Sequence, residues 1–259
     1  MQLTRQCALV TGAASGIGLA IARRFASAGA AVAVADIRPD AAEAAAQQLR
    51  DEGAHAVAVA MDVSDEASVE AGFAEAIGQL GGLHIMVSNA GVQHIAPIVE
   101  LEFGDWRRLI AVHLDGAFLC SRAAMRHMRA HGGGAILLMG SVHSKLASPL
   151  KAPYVSAKHA LLGLARTIAK EGAADNIRAN LICPGYVDTP LVRRQIPEQA
   201  KTLGISEDEV VRRVMLGGTV DGEFVKDSDV AEAALFLAAF PNKALTGQSL
   251  LVSHGWCME

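Results

Sequence analysis

Short apolar runs alternate along this chain with longer stretches in which apolar side chains recur every three to four positions. The runs are Cys7–Val10, Ala31–Ala35, His55–Ala60, His84–Ser88, Ala135–Met139, Ile177–Cys183 and Ser249–Val252. Each has the length of a buried strand. The stretches between them predict helices over 17–28, 40–52, 105–130 and 228–240, and another that begins near Pro153. Pro153 suits a first helical turn, where a missing N–H costs little. Apolar spacing then continues through Leu161, Leu162, Ala165 and Ile168. A repeated strand–helix order predicts an α/β fold. Its parallel sheet is doubly wound and covered by helices on both faces, three layers in αβα order. Residues 191–220 are richer in charge and less regular, and read as a mobile lid that closes over a site.

Composition narrows the class. The chain has 259 residues, of which 51% are hydrophobic, and it lacks a linker, repeat or low-complexity segment apart from alanine-rich helices. Residues 1–259 therefore read as a single domain, with the lid at about 190–220; α/β folds of this size are commonly one unit. A formal net charge of −4 argues against a nucleic-acid partner or a membrane surface. No apolar run approaches the ~18 residues of a spanning helix. The opening Met1–Gln6 lacks the character of a signal peptide. Cys7, Cys120, Cys183 and Cys257 are widely spaced, as expected for free thiols in a reducing cytoplasm. His127 and His131 share a helix face but have no third ligand in view, so a solvated helix end is expected and no metal.

Two stretches carry the chemistry. The first is Thr11-Gly12-Ala13-Ala14-Ser15-Gly16-Ile17-Gly18, after the first strand and at the start of the first helix. Gly12 suits a tight turn, and Gly16 permits close approach of backbone to a pyrophosphate. The helix N-terminus adds free N–H groups and the positive end of the dipole. In this context the turn predicts a Rossmann-type dinucleotide site. Asp36, at the end of the second strand, is placed to accept hydrogen bonds from both adenosine ribose hydroxyls. It would repel a 2′-phosphate, which favours NAD. Taken alone, Asp36 reads equally as a loop or capping acid, and Arg38 two residues later softens the preference. The second stretch runs from Ser141 to Lys158. Tyr154 and Lys158 are four apart and share a helix face. A cation beside a phenol favours the phenolate, so Lys158 is expected to lower the pKa of Tyr154 and make it a general base. Ser141, ending the preceding strand, is placed to hydrogen-bond an oxygen beside it.

Together these residues resemble the short-chain dehydrogenase/reductase family. Thr11–Gly18, Asn89-Ala90-Gly91, the Ser141/Tyr154/Lys158 set and Pro184-Gly185 stand in the family's order and approximate spacing. The resemblance covers essentially the whole chain. It implies that Asp62 and Val63 contact the adenine, and that Asn89, Ala90 and Gly91 lie along the cofactor. It also implies that Pro184, Gly185, Val187 and Thr189 meet the nicotinamide end, and that the protein is a homotetramer. Ser64, Asp65 and Glu66, which follow, also suit a helix start. One departure stands out: the family's helical Asn beside the catalytic Lys is here His113. His113 can donate and accept hydrogen bonds, and is expected to support the same water chain. A second departure is Ser253-His254, where relatives more often have an acid and a glycine.

The substrate-facing residues are similar to one branch of that family, the D-3-hydroxybutyrate dehydrogenases. The likeness lies in Asn89–His94, Ser141-Val142-His143, Ala147–Tyr154 and Ile182–Ile196. It implies that Gln93, His143, Lys151, Tyr186 and Gln195 face the substrate. One cation with several neutral donors suits a small carboxylate. The expected activity is NAD-dependent interconversion of (R)-3-hydroxybutyrate and acetoacetate. One alternative is the same chemistry on another small 3-hydroxy acid or ester, with NADP. The other is a nucleotide-binding protein that has lost catalysis.

Overall fold

A computed structural model describes residues 1–258. Its sheet has seven parallel strands in the order β3-β2-β1-β4-β5-β6-β7. They are β1 (Cys7–Thr11), β2 (Ala31–Asp36), β3 (Ala56–Ala60), β4 (Ile85–Ser88), β5 (Gly134–Met139), β6 (Ile177–Pro184) and β7 (Ser249–Val252). The crossovers are α1 (Gly16–Ser27), α2 (Pro39–Asp51), α3 (Glu66–Leu80), α4 (Phe103–Ile110), α5 (Gly116–Ala130) and α6 (Ala152–Glu171). The segment after β6 holds α7 (Pro190–Leu203) and the short α8 (Glu207–Glu209), and α9 (Asp227–Ala238) precedes β7.

Because strand side chains alternate between faces, each strand feeds two apolar layers. Ala8, Val10, Val32, Val34, Ile85 and Val87 pack under α1, α2 and α9. Leu9, Ala33, Met86, Ile136, Leu138 and Leu181 pack under α3, α5 and α6. Leu9, Met86, Ile136, Leu137 and Leu138 are fully buried. Truncating one such side chain to Ala costs ~2–5 kcal/mol. Burial on both faces explains why the strands are almost uniformly apolar.

The helix expected over 105–130 is instead two helices joined by a wider turn over Ala111–Asp115. That π-helical turn places His113 in the interior. A break of this kind leaves no mark in apolar periodicity and often lies at a functional site. The segment over 190–220 is more regular than its charge pattern predicts. Thr189 caps α7 by accepting from Val192 N–H at 3.3 Å, and Ser206 with Glu209 forms a capping box on α8. Val210, Met215 and Leu216 bury an apolar patch against Tyr186. From β1 the chain winds outward through β2 and β3, then returns to β4 on the other side. The crevice outside the strand ends at this reversal is where such sheets bind ligands.

Candidate active site

A cleft of about 680 Å³ opens there, and every expected site residue except Gly18 lines it. Gly18 serves packing instead. A Cβ on it would lie 2.6 Å from Asn89 Nδ2 and closer still to Gly12 O. Gly12 has φ +61°, and a Cβ there would stand 2.8 Å from Ala90 Cα. Thr11 ties the two strand ends together: its Oγ1 accepts from Asn89 N–H at 2.9 Å and Ala90 N–H at 3.0 Å. The Asn89 amide donates back to Thr11 O at 2.9 Å. The result is a backbone-walled cradle above the N-terminus of α1, which fits a pyrophosphate. Asp36 is buried and accepts from Ala14 N–H at 3.3 Å, and from Arg38 N–H and Nε at 3.1 and 3.2 Å. Asp62 lines the cleft, while its Oδ1 accepts from Ser64 N–H at 2.9 Å and Ser64 Oγ at 2.6 Å. Asp62 thus closes a local turn with Ser64, while the cap of α3 is Asp65, whose side chain accepts from Ser68 N–H at 2.7 Å.

The other side of the cleft is made of buried side chains. Ser141, leaving β5, lies beside the Tyr154 phenol, and its Oγ lies 3.2 Å from His143 Nδ1. Lys158 Nζ donates to Met139 O at 2.6 Å and sits 5.3 Å from the Tyr154 ring centroid. The expectation that Lys158 draws the phenol's pKa downward is not met by this geometry. Burial pushes Tyr154 up, and Ser141 opposes that rise. Burial also pushes the Lys158 ammonium down to about 8. A charge this close still favours whichever form of the phenol is negative; here desolvation of both groups is the stronger effect.

His113 packs against the Tyr154 ring. Its Nε2 lies 2.7 Å from Val92 O, its ring meets Tyr154 edge-on at 5.3 Å, and its buried Nδ1 has no partner among the described residues. Burial and the Lys158 charge push its pKa down to about 3, so it is neutral. The imidazole braces the backbone after Gly91.

Lys151 is 3% exposed, and burial pushes its pKa down to about 8. Its Nζ donates to the Tyr186 hydroxyl at 2.7 Å. No acidic side chain among the described residues pairs with it. His143, pushed down to about 3 by burial and then by Lys151, stays neutral beside it. Gln195 is buried on α7; its Nε2 donates to Leu191 O at 3.2 Å and its Oε1 has no partner. Gln93 accepts from His94 N–H at 3.2 Å. Trp256 was not among the expected residues, yet it lines the cleft, stacks on Tyr186 at 5.2 Å and meets His143 edge-on at 5.7 Å. It is seated by Gly218, where a side chain would collide with the indole. His254 anchors the same turn: its φ is +48° and its Nδ1 lies 2.6 Å from Asp221 Oδ2. Arg108 and Arg194, at the mouth, were also unexpected. Neither lies within a motif that gives it a role.

The set can hold an oxygen at Ser141, exchange a proton at Tyr154 and receive an anion at Lys151. Comparison with known proteins finds oxidoreductases. The short chain dehydrogenase family profile matches residues 6–200. A D-beta-hydroxybutyrate dehydrogenase of Rhizobium meliloti is 39% identical, over 97% of this chain and 98% of that one. A cis-4-hydroxycyclohexanecarboxylate dehydrogenase of Sinomonas cyclohexanicum is 40% identical, over 96% and 95%. Among solved structures, a gluconate 5-dehydrogenase from Burkholderia cenocepacia in complex with NADP and tartrate has a TM-score of 0.88 and 36% identity, covering 98% and 96%. Relatives this similar differ in substrate, so overall identity does not select one.

Proposed function

The chain belongs to the short-chain dehydrogenase family, and from that premise we propose that it interconverts (R)-3-hydroxybutyrate and acetoacetate with NAD. One observation carries the substrate: the buried ammonium of Lys151 faces the cleft with a neutral phenol as its partner. A buried charge without a counter-charge is costly, and an anionic ligand offsets that cost. A carboxylate one methylene beyond the reacting carbon reaches from Ser141 and Tyr154 toward Lys151, with His143 and Gln93 as neutral neighbours. Gln195 joins from α7 as the lid closes, and water exclusion then strengthens the ion pair.

NAD, when bound, supplies the hydride acceptor. Its pyrophosphate would lie along Gly12, Ser15, Gly16 and Ile17, its adenosine against Asp36, Asp62 and Val63. The nicotinamide end would meet Asn89, Ala90, Gly91, Pro184, Gly185, Val187 and Thr189. The Asp36 carboxylate disfavours a 2′-phosphate, and its contact with Arg38 engages the nearest cation. Tyr154 receives the hydroxyl proton, Ser141 holds the oxygen on which charge develops, and Lys158 stabilises the phenolate and the cofactor ribose. His113 keeps the wall behind Tyr154 in place. The helices over 190–220 act as lid, and the reading includes a cytoplasmic homotetramer of one domain per chain.

The test is reduction of NAD and NADP with a panel of 3-hydroxy acids of both hands. The expected result is at least tenfold preference for the (R)-acid and for NAD, since ~1.4 kcal/mol already gives tenfold. Equal efficiency with NADP, or a neutral alcohol as the better substrate, would overturn the assignment.

A further inference from the structure

Resting on the carboxylate reading above, we propose that Tyr186 is a second specificity-determining residue whose phenol O–H donates to the substrate carboxylate beside the Lys151 ammonium, so that the two form a two-pronged anion clamp. The inference starts from which group must donate. An ammonium has three hydrogens and no lone pair, so in the 2.7 Å contact Lys151 Nζ donates and the Tyr186 oxygen accepts. The phenol hydrogen is thereby turned away from Lys151. The Gln199 amide, from the lid, lies against the same phenol. Burial and the neighbouring Tyr154 push Tyr186 far up, so it keeps its hydrogen.

The ring has little freedom. It is stacked 9° from parallel on Trp256, and Lys151 Nζ sits 4.6 Å from its centroid. Rotation about the C–O bond is what remains, and it sweeps the hydrogen toward the cleft that Lys151, His143 and Tyr186 jointly line. A carboxylate held there takes an N–H from Lys151 on one oxygen and the O–H of Tyr186 on the other. Because Lys151 already polarises the phenol, that O–H is a stronger donor than an isolated tyrosine. A neutral ester can use neither prong fully.

The same contact admits the opposite account, in which Tyr186 is a resting partner that the substrate must displace from Lys151. The two accounts predict opposite signs for Tyr186→Phe, which keeps the stacked ring and removes the hydroxyl. The clamp predicts that KM for (R)-3-hydroxybutyrate rises about tenfold with kcat within about twofold, on the scale of a hydrogen bond to a charged group. The acid-to-ester ratio of kcat/KM, with the methyl ester as comparison, falls by the same factor. Acetoacetate binding to the protein–NAD complex, which cannot turn over, weakens equally in calorimetry. An unchanged or tighter acid KM in Tyr186→Phe, with wild type still preferring the acid, overturns the clamp and leaves the carboxylate reading intact. A wild type that prefers the ester overturns both.

Discussion

Where β1, β2 and β4 end, the cleft wall is backbone: the Gly12 turn, the N–H groups opening α1, and Asn89–Gly91 stapled to Thr11. Where β5, β6 and β7 end, the wall is side chains: Ser141, His143, Lys151, Tyr154, Lys158, Tyr186 and Trp256, from four separated segments. In the first half, a Cβ at Gly12 or Gly18 would meet backbone. The second half holds two ammonium groups, both pushed down to about 8 by burial, with neutral partners. In the proposed reading, the cofactor is gripped by fixed main-chain groups, whereas the substrate is read by buried, ionisable ones. Steric change should damage the first half and chemical change the second.

Tyr154→Phe should give the largest effect. It removes the proton acceptor and little volume, so turnover should fall by ~10²-fold or more while NADH binding, followed by fluorescence, is retained. Retained turnover would mean that the proton leaves by another group. Gly18→Ala, on the other side, adds one methyl against Gly12 O and Asn89. Overpacking of this kind costs ~1–3 kcal/mol, so urea denaturation should show that loss, and NADH affinity should fall with it. An unperturbed Gly18→Ala protein would show that the cradle is softer than its contacts imply.

A pH series sharpens the contrast within the second half. Lys151 is held at about 8, so its positive charge is complete well below that pH and is lost above it. The acid-to-ester ratio of kcat/KM should be level to about pH 7 and decline through pH 8 to 9. Lys158 titrates in the same range, but it serves both substrates and cancels in the ratio. A ratio that stays flat to pH 10 would remove Lys151 from carboxylate recognition. The smallest effect is expected for His113→Asn. His113 is neutral and braces Val92, so turnover should stay within a few-fold. A sharp rise would identify the imidazole as a defect in the site.

The strands and the glycine turn were legible because their signals are contiguous. A buried strand is a run of apolar residues, and a phosphate cradle is a fixed spacing of glycines. Ser141, Tyr154 and Lys158 could be placed because a strand end and an i, i+4 pair set their relative positions. The π-helical turn at Ala111–Asp115 was not legible, since one wider turn barely shifts the apolar phase. The pKa of Tyr154 was misjudged for a related reason. Sequence spacing shows that Lys158 is near, but it does not show that burial outweighs the attraction. Trp256 was missed because its role depends on long-range packing: Gly218, Tyr186 and His143 meet it from three other parts of the chain. His254 shows how far that dependence reaches. It occupies a left-handed conformation that is uncommon outside glycine, and Asp221, 33 residues earlier, holds it there.

The account turns on a carboxylate meeting Lys151, and kcat/KM for wild type and Lys151→Ala on (R)-3-hydroxybutyrate and its methyl ester measures that meeting directly. A hydrogen bond to a charged group is worth ~1.5–3 kcal/mol, so the substitution should lower efficiency on the acid by roughly 10- to 100-fold and leave the ester little changed. An equal loss on both substrates, or a wild type that favours the ester, would contradict it.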